Sequence, residues 1–160
     1  MYRILIASDT HGNIGYVCKA IEAIEKINLV IHLGDMCADA RDLQSLYPRY
    51  EWVYVRGNND FFDIGDDERL LERGGVKILL THGHAYHVRS GVDDLVRRAK
   101  ELEAKAVFFG HTHVRMNEWV DDVLCVNPGG YNTMPCPGVM VAEIENGMLR
   151  VCPYTGIRFS

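Results

Sequence analysis

The sequence predicts an α/β fold with two packed β-sheets, a β-sandwich core whose first half is a parallel βαβ arrangement and whose outer faces carry helices. In the first half, short apolar runs alternate with segments of helical periodicity. In the second half, short apolar runs are separated by turn signals of the Gly-Gly and Asn-Gly type. A length of 160 residues, 48% of them hydrophobic and 24% charged, predicts one globular domain over residues 1–160.

The first half of the chain begins with a predicted strand at Tyr2 to Ser8, a nearly continuous apolar run. Apolar side chains then recur at helical spacing from Ile14 to Ile24, which predicts a helix. The alternation continues with a strand at Leu29 to Leu33, a short polar helix at Asp39 to Leu46 and a strand at Glu51 to Val55. Strands joined by crossover helices predict a parallel sheet that binds ligands beyond the carboxyl ends of its strands.

The second half contains more hairpin signals. Strands are expected at Arg69 to Arg73 and Val76 to Thr81, on either side of a Gly-Gly turn. A helix follows, with Ser90 and Asp93 as its expected capping box. Further strands are expected at Ala106 to Phe109, Asn117 to Val120, Val123 to Val126, Val139 to Ile144 and Leu149 to Tyr154. These later strands are expected to form a second, more antiparallel sheet packed on the first.

The composition excludes several classes of function. A formal net charge of -5 and a pI near 5.8 predict no strong nucleic-acid surface. Five cysteines without a CxxC pair indicate reduced thiols rather than a disulfide framework or a thiolate zinc site. The apolar runs are strand-sized and the N-terminus has no signal-peptide pattern, so we expect no membrane span and a cytoplasmic location.

Polar side chains follow each predicted strand of the first half. Asp9 and His11 come after the first strand, Asp35 after the second, and Asn58 and Asp60 after the third. Because the carboxyl ends of parallel strands meet at one edge of a sheet, we expect these side chains to lie close together.

In the second half of the chain, histidines likewise follow the ends of predicted strands. His82 and His84 end one strand, and His111 and His113 end the strand after the helix. Taken singly, each cluster is typical of an ordinary turn or a hydrogen-bonded loop histidine. Together, carboxylates, imidazoles and a carboxamide recurring at strand ends predict a site for divalent metals with mixed nitrogen and oxygen ligands.

These motifs run in the order D-x-H, G-D, G-N-x-D, a lone His and G-H-x-H. The sequence thereby resembles the calcineurin-like metallophosphoesterase family over nearly its whole length, above all the short YfcE-like phosphodiesterases and the non-catalytic subunit of the retromer coat. The resemblance implies a metallophosphoesterase fold and metal-dependent hydrolysis of a phosphoester, with a small molecule or a nucleotide as substrate.

The resemblance also implies a cofactor of two divalent metal ions per chain, with Mn2+ expected and Ni2+, Co2+, Zn2+ or Fe2+ as alternatives. It divides the ligands into Asp9, His11 and His113 for one ion, Asn58, His82 and His111 for the other, and Asp35 as the bridge. Two divalent cations against two carboxylates leave a net charge of about +2, which would attract phosphate. The implied mechanism is in-line attack on phosphorus by a metal-bridging hydroxide.

One position departs from the family pattern. The larger family has a His after the motif's first Asn, as the proton donor to the leaving group, whereas this chain has Asn59. An amide is not a general acid at neutral pH, so His84 or a water would have to serve. This favours phosphodiesters with good leaving groups. Asp60 is expected to orient the Asn58-Asn59 turn, and with Asn59 and His84 it completes the predicted catalytic set.

The segment Asn127-Pro128-Gly129-Gly130 resembles the N-P-G segment of the family. One interpretation is a turn whose backbone N–H groups face the site, which makes Gly129 and Gly130, with Asn59, the predicted substrate contacts. An ordinary Gly/Pro turn after a strand is the alternative.

Two other functions compete with the enzyme hypothesis. The first is a scaffold or binding module on the same fold, as in the retromer subunit, although all seven expected ligands are present here. The second, an amidohydrolase, is excluded because a TIM barrel needs about 250 residues. A homodimer is left open.

Overall fold

The computed structural model describes residues 1–62 and 65–156, so residues 63–64 and 157–160 of the predicted domain lie outside the described residues. The described chain contains strands and helices with the following bounds: β1 (Tyr2–Ala7), α1 (Gly15–Ala23), β2 (Leu29–His32), α2 (Cys37–Leu46), β3 (Glu51–Tyr54), β4 (Glu68–Arg73), β5 (Val76–Thr81), α3 (Asp93–Glu101), β6 (Ala106–Phe108), β7 (Met116–Val120), β8 (Val123–Asn127), β9 (Val139–Glu145) and β10 (Met148–Pro153).

The strands form two mixed sheets of five strands each, flanked by the three helices of the described chain. The first sheet has the order β10-β9-β1-β2-β3, with β1, β2 and β3 parallel and β9 and β10 antiparallel. The second sheet has the order β4-β5-β6-β8-β7, with β5, β6 and β8 parallel and antiparallel strands at both edges. The predicted fold class is confirmed.

Two sequence-based details are wrong. The last two strands do not join the second sheet, because β9 pairs with the free edge of β1, where Leu5 lies opposite Val141. Local periodicity identifies a strand but carries no information about the edge it joins. The expected capping box is also absent, since α3 has Val92 at its N-cap without a side-chain cap, and Ser90 ends a preceding 3-10 turn.

The side chains of β1 alternate between two apolar cores. Ile4 and Ile6 lie in the core between the sheets, together with Ile78 and Phe108 of the second sheet. Leu5 and its neighbours on the other face pack against α1. A third core lies between the second sheet and α3. The inter-sheet core brings the carboxyl ends of β1, β2, β3, β5 and β6 to one edge of the sandwich.

Of the helices described, none is long and apolar enough for a membrane span.

Candidate metal centre

The loops that follow β1 and β2 in the first sheet meet the loops that follow β5 and β6 in the second. His113 Nε2 lies 3.2 Å from Asp9 Oδ1, and His82 Nε2 lies 3.4 Å from Asp35 Oδ1. The structure thus brings residues from four separate motifs within ligand distance of one another, beyond the strand ends where parallel sheets bind ligands.

The backbone at this edge has an unusual conformation. Five of the seven predicted ligands have a positive φ, which is uncommon for residues other than glycine: Asp9 (53°), His11 (45°), Asp35 (56°), His111 (70°) and His113 (59°). Backbone in such regions persists only where surrounding contacts hold it, and it concentrates at functional sites.

Two motif glycines allow the loops to approach closely. A Cβ on Gly57 would overlap the carboxylate of Asp35, and a Cβ on Gly110 would overlap the hydroxyl of Ser8 and crowd Asp9. These glycines therefore make room for the carboxylates of the centre.

Asp9 is fully buried and uses its two oxygens differently. Its Oδ2 accepts hydrogen bonds from Ser8 Oγ at 2.6 Å and from the His111 N–H at 3.0 Å. Its Oδ1 has no hydrogen-bond partner among the described residues and faces His113 and His82. Burial raises the pKa of Asp9, but contacts with His113, His82 and Ser8 outweigh it and the net pKa is lowered. Asp9 is therefore a carboxylate with one free oxygen.

Asp35 is 2% exposed and lies between two histidines. Its Oδ1 is 3.4 Å from His82 Nε2, and its Oδ2 is 3.7 Å from His11 Nε2. Asn59 holds both oxygens, with its backbone N–H donating to Oδ1 at 3.0 Å and its Nδ2 donating to Oδ2 at 2.7 Å. This geometry suits a carboxylate that bridges two ions. The two hydrogen bonds from Asn59 orient Asp35.

Hydrogen bonds to Nδ1 fix the tautomers of two histidines. His82 Nδ1 donates to the Leu33 carbonyl at 2.7 Å, and His113 Nδ1 lies 3.1 Å from Asn132 Oδ1. Because an oxygen of this kind accepts, the proton is on Nδ1 and the lone pair is on Nε2, which faces the carboxylates. Contact with Asp9 raises the pKa of His113 despite the opposing effect of burial.

Asn58 and His111 form the other pair at the centre. Asn58 Oδ1 lies 3.0 Å from His111 Nδ1, and Arg89 Nε donates to His111 Nε2 at 3.1 Å. Burial lowers the pKa of His111, and electrostatic interactions with His82 and Arg89 lower it further. A lowered pKa favours the neutral imidazole that metal binding requires.

Asp60 holds the loop that carries Asn58 and Asn59. It accepts backbone N–H groups at 2.7–2.9 Å from Asp35, Met36, Cys37 and Gly57. Burial raises the pKa of Asp60, but the N–H groups of Cys37 and Gly57 outweigh it and the pKa is lowered. Both oxygens accept hydrogen bonds from backbone amides, an arrangement that suits the orienting role predicted for Asp60.

His84 lies beside the ligands, with its ring centroid 5.5 Å from that of His82 and 6.2 Å from that of His111. Its Nδ1 is buried without a partner among the described residues. Burial lowers the pKa of His84, and an electrostatic interaction with His82 lowers it further. A neutral imidazole at pH 7 is poorly suited to the predicted role of proton donor.

The predicted contribution of Gly129 and Gly130 does not fit the geometry. The Gly129 N–H donates to Asn127 Oδ1 at 2.8 Å, and the Gly130 N–H donates to Thr133 Oγ1 at 2.8 Å. Neither amide is available to a substrate, because the turn satisfies its own donors. Gly130 instead packs against the loop of Asp9.

Sequence reasoning missed a buried network beneath the centre. Thr10 Oγ1 donates to Asp39 Oδ2 at 2.6 Å and lies 3.0 Å from His32 Nε2. The Gly34 N–H donates to His32 Nδ1 at 3.2 Å, which joins the Asp9 loop to the Asp35 loop. His32 is the satisfied core histidine that its apolar strand predicts, being 1% exposed. The one sequence signal was Asp39, an acidic residue at a buried position of α2.

The residues form two candidate metal-binding groups that share the carboxylate of Asp9, whereas the predicted bridge, Asp35, belongs to one group and lies 3.7 Å from His11 of the other. The two groups are Asp9, His11 and His113, and Asp9, Asp35 and His82. Asp9 Oδ1, His11 Nε2 and His82 Nε2 are buried and lack hydrogen-bond partners among the described residues. Buried polar atoms are rarely left unpaired, so this donor set fits a binuclear metal site.

Comparisons with known proteins agree with the geometry. The family model described as the calcineurin-like phosphoesterase superfamily domain matches residues 2–147. The chain is 37% identical to the probable metallophosphoesterase YsnB of Bacillus subtilis over 130 residues, covering 79% of this chain and 73% of that protein. It is 34% identical to the phosphodiesterase MJ0936 of Methanocaldococcus jannaschii over 168 residues, covering 88% and 93%.

A solved structure supports the same relationship. The crystal structure of a conserved, predicted phosphoesterase from Streptococcus pneumoniae TIGR4 superimposes with a TM-score of 0.76 at 27% sequence identity. The match covers 98% of this chain and 94% of that chain. The structural similarity thus extends over nearly the whole chain.

Proposed function

The chain belongs to the calcineurin-like phosphoesterase superfamily, and on that premise we propose that it is a phosphodiesterase with a two-metal centre. One observation carries the proposal: three unpaired, buried ligand atoms, Asp9 Oδ1, His11 Nε2 and His82 Nε2, converge at the joint edge of the sheets. Leaving them unpaired costs free energy that cation binding would recover.

The proposed division of ligands follows the sequence. Asp9, His11 and His113 would hold one ion, Asn58, His82 and His111 the other, and Asp35 would bridge them. When bound, two divalent cations activate water as the nucleophile and neutralise charge on the phosphate oxygens. Carboxylate and amide oxygens suit Mn2+, which we propose as the ion, whereas imidazoles suit Zn2+, Fe2+ and Ni2+, which with Co2+ are the alternatives to compare with it.

The chain's own residues would prepare the centre in two ways. Leu33 and Asn132 keep the protons of His82 and His113 on Nδ1, so that both Nε2 lone pairs face the carboxylates. Asn59 orients both oxygens of Asp35, and the neutral Asn58 adds an oxygen donor without a negative charge. The centre would thereby keep the net positive charge that attracts a phosphodiester.

The lack of a strong proton donor determines the preferred substrate. Asn59 is held by Asp35 and cannot protonate a leaving oxygen, and the lowered pKa of His84 leaves little imidazolium at pH 7. Esters whose leaving group departs as a stable anion should therefore react fastest. The proposal favours activated phosphodiesters over simple phosphomonoesters.

The test is hydrolysis of bis-p-nitrophenyl phosphate by purified protein with Mn2+. Asp35→Ala and His82→Ala should each lower kcat/KM by more than about 100-fold, beyond the effect of residues that only orient ligands. His87→Asn is the matched control, because this exposed histidine lies outside the centre and Asn tolerates its positive φ.

Wild-type activity retained in both alanine variants would refute the site. Tight metal binding without turnover across a broad panel of esters would instead indicate a binding module on this fold.

A further inference from the structure

A groove of about 960 Å³ lies beside His111 and His113, which form part of its wall. A phosphate group fills a small part of that space, whereas sites for small organic ligands have volumes of about 300–1,000 Å³. The groove is therefore large enough for an organic group attached to a phosphate at the candidate centre.

The remainder of the groove wall is mainly apolar, and includes Val88, Val92, Val114 and Met116. Val114 is 66% exposed, so it presents a methyl surface to any occupant. Asn132 adds a polar contact, since its Oδ1 is used by His113 and its amide N–H groups can donate. Apolar walls with a few polar groups suit a flat aromatic group such as a nucleoside base.

Arg89 lines the same groove and contacts a candidate ligand. Its Nε–H donates to His111 Nε2 at 3.1 Å, and within residues 1–62 and 65–156 it has no other hydrogen-bond partner. His111 Nε2 can accept this bond only while the proton is on Nδ1, the nitrogen beside Asn58 Oδ1. If Nδ1 serves as a ligand, the proton is on Nε2 and the guanidinium needs a different acceptor.

We propose that this acceptor is a nonbridging phosphate oxygen of the substrate, and that the groove holds the aromatic ester substituent that is retained on phosphorus. The inference rests on the proposed function, since it assigns the substrate contacts of the same centre. A guanidinium can bind phosphate through two parallel hydrogen bonds, which would fix the phosphate in one orientation beside the ligands. Arg89 and the groove would thus select nucleoside phosphodiesters over small alkyl diesters.

Arg115 also lines the groove but has a different role. Its Nη2 donates to the carbonyl oxygens of Cys136 and Pro137 at 3.2 and 3.4 Å, so it holds the neighbouring loop. Glu118 lines the groove too and offsets one positive charge. With a net charge of -5 for the chain, this surface favours a single nucleoside ester over a polyanionic strand.

The experiment compares two diesters with the same leaving group in the Mn2+-loaded protein: the p-nitrophenyl ester of thymidine 5′-monophosphate and methyl p-nitrophenyl phosphate. The nucleoside ester should have a kcat/KM at least about tenfold higher, because only its retained substituent can fill the groove. Equal values for the two esters would overturn the inference and leave the proposed function intact. Hydrolysis of neither ester would count against the proposed function itself.

Variants of Val114 and Arg89 distinguish the contribution of the groove from that of the phosphate contact. Val114→Trp fills the groove and should reduce the preference for the nucleoside ester to near one. Arg89→Ala should lower kcat/KM for both esters by about 10- to 100-fold, as loss of a charge-assisted hydrogen bond does, with partial recovery in Arg89→Lys. Arg97→Ala is the control, because Arg97 is an exposed α3 residue paired with Asp94. Full activity in Arg89→Ala, or an unchanged preference in Val114→Trp, would contradict the proposal.

A binding measurement is independent of turnover. Thymidine 5′-monophosphate added to the Zn2+-loaded protein should shift the NMR methyl resonances of Val88, Val92 and Val114, and Val114→Trp should abolish the shifts of Val88 and Val92. Shifts confined to other methyl groups would overturn the groove assignment. Competition by an oligothymidylate that equals or exceeds competition by the mononucleotide, at equal nucleotide concentration, would overturn the preference for a single nucleoside ester.

Discussion

The two sheets bring different chemistry to the candidate centre. Of the proposed ligands, the loops of the first sheet carry the oxygen donors Asp9, Asp35 and Asn58 and the imidazole of His11, whereas the loops of the second sheet carry only imidazoles. Neither sheet carries a complete set for two cations. The centre therefore depends on the inter-sheet core, which holds both sets of loops at one edge.

The two sets of ligands are also anchored differently. Asp35 is held by Asn59, and the loop of Asn59 is held by Asp60, all within loops of the first sheet. The histidines of the second sheet are anchored across the interface, with His82 donating to Leu33 and the His111 N–H donating to Asp9. We infer that Asp35 is positioned locally within the first sheet, whereas Asp9, His82 and His111 depend on correct docking of the two sheets.

The largest expected effect comes from removing the space beside each carboxylate. Gly57→Ala would push Asp35 within the first sheet, and Gly110→Ala would push Ser8 and Asp9 across the interface. Each should lower kcat/KM for bis-p-nitrophenyl phosphate by about 100-fold or more, as a shift of about 1 Å at a reacting site can. Gly110→Ala should also lower the melting temperature more, because it separates the sheets.

Gly15→Ala is the control for both variants, since a Cβ at this position in α1 meets no atom within 4 Å. Equal losses of stability in Gly57→Ala and Gly110→Ala would contradict the distinction between local and cross-sheet anchoring.

Cations that join ligands from both sheets should stabilise the docked sandwich. At a free Mn2+ concentration 100 times Kd, each bound ion should raise the free energy of unfolding by about 2.7 kcal/mol relative to the protein in EDTA. For a domain of this length that corresponds to a rise in melting temperature of about 5–11 °C. Differential scanning calorimetry with and without Mn2+ measures the effect. His82→Ala should abolish most of the rise, whereas a full rise in that variant would place the cation elsewhere.

A change in the loop of the first sheet should alter the choice of substrate. Asn59→His places an imidazole beside Asp35 as a proton donor, while it removes the Nδ2 bond to Asp35. Total activity should fall, but the ratio of p-nitrophenyl phosphate to bis-p-nitrophenyl phosphate hydrolysis should rise about tenfold, toward the range of general acid catalysis. Asn59→Gln controls for loss of the native geometry. An unaltered ratio would argue against a leaving-group limitation.

The smallest expected effect is a pH dependence that differs between the metal-free and metal-loaded protein. Because the pKa of His113 is raised, protons compete with a cation for this imidazole at a higher pH than they would for an ordinary histidine. The affinity for Mn2+ should therefore fall several-fold as the pH drops from 8 to 6. In the metal-free protein the sign is opposite: the stability from this contact is complete below a pKa of about 6.5 and is lost as pH rises through the raised value.

Mn2+ titrations and thermal melts at pH 6, 7 and 8 test both parts of this prediction, with His113→Gln as the reference. Identical pH profiles for His113→Gln and the wild type would contradict it.

Much of the fold follows from local patterns. The periodicities of β1, α1, β4 and β5 predict their positions to within a residue or two, because apolar spacing and turn residues act over short stretches of chain. The predictions for the sheet joined by β9 and for the cap of α3 were wrong. Both features depend on which strand edges and backbone groups the rest of the chain leaves unpaired. A local sequence pattern carries no information about that.

By itself the sequence determined that acidic residues and histidines follow the strand ends, and it predicted them as metal ligands, because a D-x-H or G-H-x-H motif has its chemistry in adjacent residues. Only the tertiary structure decided which oxygen of Asp9 is free, that Asn59 holds Asp35, and that the amides of Gly129 and Gly130 are already used. Hydrogen-bond partners that lie dozens of residues apart in sequence are set by the docking of two sheets. The physical reason is that a motif specifies a donor or acceptor, whereas the packed fold specifies its partner.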